Sequence, residues 1–188
     1  MSRKPKPKEL TTQEKTAYHE AGHAVVALCF QWPVDRMTIL PSDGQVGELW
    51  LVDRDAPEEA DPAGSIAFVT AGWCAELIAT SCPASDLASN FWMGGEGDRK
   101  EAQRIARDRL GCKSHHGRIL KAIANCVFEF IQENAAQQAV GALANGLLVN
   151  ETLFRDGIEA IWQISPISEA DVERFRMDLR TCCAETKP

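Results

Sequence analysis

A chain of 188 residues with 45% hydrophobic and 25% charged residues has globular composition and is long enough to bury one domain-sized core. Its net charge of −7 argues against a nucleic-acid-binding surface, whose footprint is basic. No apolar run is expected to span a bilayer, and no signal-peptide core follows the basic start.

That start, "SRKPKPK", reads as a solvated, disordered basic leader over residues 1–10. Thr11 followed by Glu14 forms a capping box, and apolar residues then recur at helical spacing through "TAYHEAGHAVVALCFQW" until Trp32-Pro33 ends the run. "DRMTIL" and "VGELWLV" are two short strand-like runs joined by "PSDGQ", a hairpin signal. "DRDAPEEADPAG" is a loop, after which Asp61 is an N-cap and Pro62 the first residue of a second long helix ending near "TSC". "PASDLASNFWMGGEGD" is irregular, and helices follow over "DRKEAQRIARDRL", "HGRILKAIANCVFEFIQEN" and "AAQQAVGALANGLLVN". "ETLFRDGIEAIWQI" reads as a turn and short helix. A last amphipathic helix behind Ser168 aligns Val172, Phe175 and Leu179 on one face.

The predicted fold is therefore mainly α with one small β-hairpin or short sheet. A single domain is expected over 11–165, with the amphipathic helix and tail of 166–188 appended. Seven scattered cysteines without a C-x-x-C pair read as reduced thiols of a cytoplasmic protein, with Cys29, Cys74 and Cys126 as small core residues.

Chemistry concentrates in "HEAGH". Residues i and i+4 of a helix share a face, so His19 and His23 can bring two imidazole nitrogens to one cation. Glu20 lies one position round the helix, where it can take a proton from water polarised at that cation. Zn2+ suits such a site, being redox-inert and content with tetrahedral nitrogen and oxygen donors. Chance placement is a poor alternative with only four histidines in the chain and an apolar helix around them, where unpaired imidazoles are costly.

Two ligands do not complete a site. The longer H-E-x-x-H-x-x-G-x-x-H pattern is absent, since Val26 and Cys29 occupy its glycine and last histidine positions. Candidates for the third ligand are Glu76 in "AGWCAELI", Asp98 in "GGEGDRKEAQRIA", and the neighbours His115 and His116. Asp98 followed by Glu101 is also a helix-capping pattern, Glu76 also a plausible buried acceptor, and the two histidines also ordinary surface residues. Spacing does not choose among them.

Several segments resemble the peptidase domain of the FtsH family of zinc metalloproteases. They are "YHEAGHAVVA", "VDRMTILPSDGQVGELWLV", "TAGWCAELI", "GDRKEAQRIAR" and "FIQENAAQQAVGALANGLLVNETLFRDGIEAI", together spanning roughly residues 14 to 161. The resemblance implies a helical zinc-peptidase domain with His19, His23 and Asp98 as metal ligands. It makes Glu20 the general base and leaves Glu76 to orient a ligand. It departs from the family where Arg99 follows Asp98 in place of an apolar residue, and no G-x-x-x-x-G-K-[ST] phosphate loop occurs.

These observations predict a zinc-dependent endopeptidase that cuts unfolded or flexible polypeptides without an ATPase of its own. The alternatives are a zinc-bearing scaffold that serves as a protein-interaction module, or a peptidase subunit served by a separate ATPase chain. The expected partners are a polypeptide substrate and either further copies of the chain or that ATPase, with no nucleic acid and no membrane segment.

Overall fold

A computed structural model describes residues 9–42, 46–53, 57, 61–80, 95–110 and 116–185. Among these are seven helices: α1 (Thr12–Cys29), α2 (Pro62–Ala79), α3 (Glu96–Arg109), α4 (His116–Gln132), α5 (Asn134–Asn150), α6 (Arg155–Gln163) and α7 (Glu169–Glu185). Three short strands, β1 (Val34–Thr38), β2 (Glu48–Leu51) and β3 (Thr152–Phe154), complete the mainly α fold. The leader 1–8, the loop around 58–60, the irregular segment 81–94 and His115 lie outside the described residues, as does the His116 side chain.

Helix α1 opens on the expected capping box: the Thr11 hydroxyl accepts from the Glu14 amide at 3.2 Å, and the Glu14 carboxylate accepts from the Thr11 amide at 2.8 Å. It ends in a Schellman turn, with Gln31 at φ 60° and the Trp32 amide donating to the Ala27 carbonyl at 2.9 Å. Ala17, Ala21, Ala24 and Val25 are all fully buried, so α1 is covered on several sides, as a central helix must be. It packs chiefly on α2 and α5. Close approach to α2 depends on Gly22, where a methyl group would meet the Ala71 carbonyl and lie 2.8 Å from the Ala75 Cβ.

Helix α2 begins as its sequence requires, with Asp61 accepting from the Ala63 amide at 3.3 Å and Pro62 in the first turn. By length and composition α2 could cross a membrane, which corrects the expectation that no run comes near that requirement. In this fold it is a core helix packed against α1, α3 and α4.

The hairpin forms part of a short three-stranded sheet. Thr152–Phe154, read as a turn, is a third strand, giving the antiparallel order β2-β1-β3. Met37 faces Leu49 on one side and Leu153 on the other, and burial of this row covers one face of the sheet. Entry into β3 needs the left-handed Glu151, φ 59°, whose amide closes α5 onto the Leu147 carbonyl at 2.7 Å. No glycine marks that turn, and no local residue pattern punctuates it.

Helix α7 brings Phe175 and Leu179 into the common core, with Phe175 stacked on Phe130 of α4 at 4.1 Å between ring centroids. The Arg176 guanidinium donates to the Cys29 carbonyl at the end of α1. Cys29 and Cys74 are buried as expected, and burial pushes the Cys29 thiol up to about 12. Cys126 departs from the reading of free thiols. It is half-buried and bonded to Cys182 of α7 as a disulfide.

Candidate metal centre

Three helices converge on one cleft of about 630 Å³. The middle of α1 supplies His19, Glu20 and His23, α2 supplies Glu76, and the first turn of α3 supplies Asp98. Asp98 does not cap its helix, because Gly95 occupies the N-cap position and offers no side-chain bond. The carboxylate is thereby left to point across to α1.

The donor atoms form a small triangle. His19 Nε2 lies 3.0 Å from His23 Nε2, Asp98 Oδ2 lies 2.9 Å from His19 Nε2, and the third side, Asp98 Oδ2 to His23 Nε2, is 3.5 Å. A tetrahedral zinc at about 2.0–2.1 Å from each donor sets donors roughly 3.3 Å apart, and the triangle is of that size.

Proton placement sharpens this. His23 Nδ1 sits 2.7 Å from the Phe68 carbonyl, which can only accept, so Nδ1 carries the hydrogen and a neutral ring presents a lone pair at Nε2. His19 Nδ1 sits 3.0 Å from the Glu76 carboxylate, which fixes the same tautomer. Two lone pairs and a carboxylate oxygen thus face one another at contact distance, an arrangement that repels unless a cation lies among them. With both rings in that neutral tautomer, Asp98 Oδ2, closed off from solvent, meets no donor and so also lacks a neutralising partner. The donor set fits Zn2+ by size, charge and ligand type.

Without a metal, a proton takes that place. Burial by itself lowers the His19 pKa, but hydrogen bonds to Asp98 and Glu76, with the charges of Asp98 and Glu20, override it and raise the value to about 10. Burial pushes Asp98 upward, yet the charges and hydrogen bonds of His23 and His19 hold it well below the usual carboxylate range.

Glu20 is buried and stands beside the triangle, outside the donor group. Its pKa is raised, by burial first, with the two histidines pulling the other way. A carboxylate moved toward neutral pH is better matched to accepting a proton there.

Sequence reasoning brought His19, Glu20, His23, Asp98 and Glu76 to notice, and the structure places all five in this cleft. The side chains of His115 and His116 lie outside the described residues. Three contributors carried no obvious side-chain signal: the Phe68 carbonyl, Gly72 and Gly47. A methyl group on Gly72 would lie 2.5 Å from His23 Nε2 and 2.7 Å from His19 Nε2. One on Gly47 would meet Thr16 and lie 2.8 Å from the Glu20 carboxylate. A glycine inside a helix costs about 1 kcal/mol against alanine, and that was the available clue to Gly72.

Comparison with known proteins agrees with this chemistry. The chain is similar to part of FtsH. It is 51% identical over 121 residues to the ATP-dependent zinc metalloprotease FtsH of Chlamydia trachomatis, a match covering 59% of this chain and 12% of that protein. It is 29% identical over 103 residues to the protein of the same name from Cupriavidus metallidurans, covering 52% of this chain and 15% of the relative. The Acidothermus cellulolyticus protein of that name is 40% identical over 82 residues, 39% of this chain and 12% of the relative. The chain thus spans a small fraction of the length of these relatives. No protein-family model matches it.

Proposed function

We propose that this chain is a zinc-dependent endopeptidase that cleaves unfolded or flexible polypeptides. The observation that carries the reading is the triangle of two oriented imidazole lone pairs and one carboxylate oxygen with a buried glutamate at its side. Zinc held by His19, His23 and Asp98 would polarise a scissile carbonyl and acidify water. Glu20 accepts the proton from that water and returns it to the leaving amine, so that a peptide bond breaks with no net change in the enzyme. Glu76 and the Phe68 carbonyl keep both rings in the ligating tautomer.

Strand β2 supports a polypeptide as substrate. It is an edge strand, and Glu48 and Leu49 line the cleft beside Glu20. An extended chain laid along it forms main-chain hydrogen bonds and passes the carboxylate. The ATP dependence in the relatives' names belongs to those proteins. The sequence here holds no G-x-x-x-x-G-K-[ST] loop, and we assign this chain no nucleotide step.

The test is metal analysis of purified protein together with digestion of a permanently unfolded substrate. One zinc per chain is expected, with activity abolished by a chelator and restored by zinc. Glu20→Gln should retain the metal and lose turnover. A zinc-loaded protein that leaves every unfolded substrate intact would overturn the reading in favour of a metal-stabilised interaction module.

A further inference from the structure

The cleft has an unequal charge inventory. Its walls carry six carboxylates, Glu20, Glu48, Glu76, Glu96, Asp98 and Glu101, and no lysine or arginine among the described residues. Most of these are committed. Asp98 and Glu20 belong to the centre, Glu76 holds His19, Glu96 pairs with Lys100 at 2.7 Å, and Glu101 grips Arg104 at 2.6 Å. Glu48 differs. Among the described residues its carboxylate accepts the Ser42 hydroxyl, at 3.3 Å, and joins no ion pair.

Its position matters more than its charge alone. Glu48 begins the edge strand β2 and follows Gly47, where a methyl group would lie 2.8 Å from the Glu20 carboxylate. Across the sheet it faces Thr38 of β1, and among the described residues its other flank is the edge of the sheet. Side chains alternate along a strand, so Glu48 and Leu49 face opposite sides. A peptide added to this edge sets one side chain directly beside Glu48, at the separation of a cross-strand pair.

Resting on the peptidase reading above, we infer that Glu48 is a specificity residue, selecting lysine or arginine at one position of an extended substrate close to the bond that is cut. The partner is thus a cationic polypeptide segment, and acidic segments are refused by repulsion from the same residue. Because the pair is partly exposed, preference weakens as salt rises.

Fluorogenic peptides identical except for Lys, Gln or Glu scanned through each position test this with zinc-loaded protein. Wild type is expected to favour Lys over Glu on the order of tenfold in kcat/KM at one position, the sum of one attractive and one repulsive cross-strand pair. Glu48→Gln should flatten that ratio and Glu48→Lys should invert it. Thermal unfolding of each variant reports whether it is folded.

The same peptides are also titrated onto zinc-loaded Glu20→Gln, with and without Glu48→Lys, and their Kd values compared. A Lys-over-Glu binding ratio that inverts with Glu48→Lys supports the inference even where wild type cuts nothing, an outcome that would sink the peptidase reading alone. Equal ratios in wild type and Glu48→Lys, or no peptide binding, overturn the inference.

Discussion

Gly72→Ala separates metal binding from folding. The added Cβ would lie 2.5 Å from His23 Nε2 and 2.7 Å from both Nε2 and Cδ2 of His19. Ordinary contact between such atoms begins near 3.5 Å, so the rings must retreat by about 1 Å. Zinc–ligand distances tolerate only about 0.2 Å, and both nitrogens move at once. Zinc affinity should fall by at least about 100-fold, the upper range for disturbing a group that merely orients a ligand. The cost to folding is smaller. Overpacking costs about 1–3 kcal/mol, while exchanging glycine for alanine in a helix interior regains about 1 kcal/mol. Metal-free Gly72→Ala should therefore unfold within about 2 kcal/mol of metal-free wild type in a urea titration, and a chelator competition should show the lost affinity. Wild-type zinc affinity in this variant would refute the proposed ligand geometry.

Other consequences follow from the same geometry. Asp98→Ala should strip or greatly weaken zinc, as should His19→Ala or His23→Ala, whereas Glu20→Gln should keep it; full occupancy after Asp98→Ala, measured by elemental analysis, would move the third ligand to Glu76. Because His19 in the metal-free site holds its proton up to about 10, zinc must displace that proton, and affinity should climb about tenfold per pH unit through neutrality instead of levelling off above the ordinary imidazole range. Calorimetry in buffers of different ionisation enthalpy would count the released proton, and release of none at pH 8 would contradict the assignment. The sign for metal-free stability is opposite: a raised folded-state pKa contributes fully below the unfolded value of about 6.5 and is lost as pH rises through about 10, so urea midpoints should decline over that window. Phe175→Ala removes a fully buried ring stacked on Phe130 and should cost about 3–5 kcal/mol in urea denaturation without altering zinc stoichiometry.

Helix α1 was legible because every local device agrees: a capping box at its start, helical periodicity through its length, and a proline soon after its end. Helix α2 was legible in its bounds through Asp61 and Pro62, while its length and composition suit a membrane span as well as a protein core. Strand β3 was hidden. Three residues are too few to show a period, and the strand exists because β1 offers Arg36, Met37 and Thr38 as partners more than a hundred positions away. The left turn at Glu151 falls on a residue type that does not advertise it.

The site divides along the same physical line. His19 and His23 were readable because helical geometry alone brings i and i+4 together. Asp98 and Glu76 were not decidable by spacing, since each reaches the centre through packing of α3 or α2 against their neighbours, which no local pattern encodes. The structure distinguishes them by the ring atom each one meets. Glu76 touches His19 at Nδ1, the side that can only donate once Nε2 is turned inward, and so its carboxylate sets the tautomer. Asp98 touches Nε2, the lone-pair side, where another acceptor is unfavourable without a cation between them. Two carboxylates on one imidazole thus have opposite parts, and the atom contacted decides which would coordinate metal and which would orient the ligand.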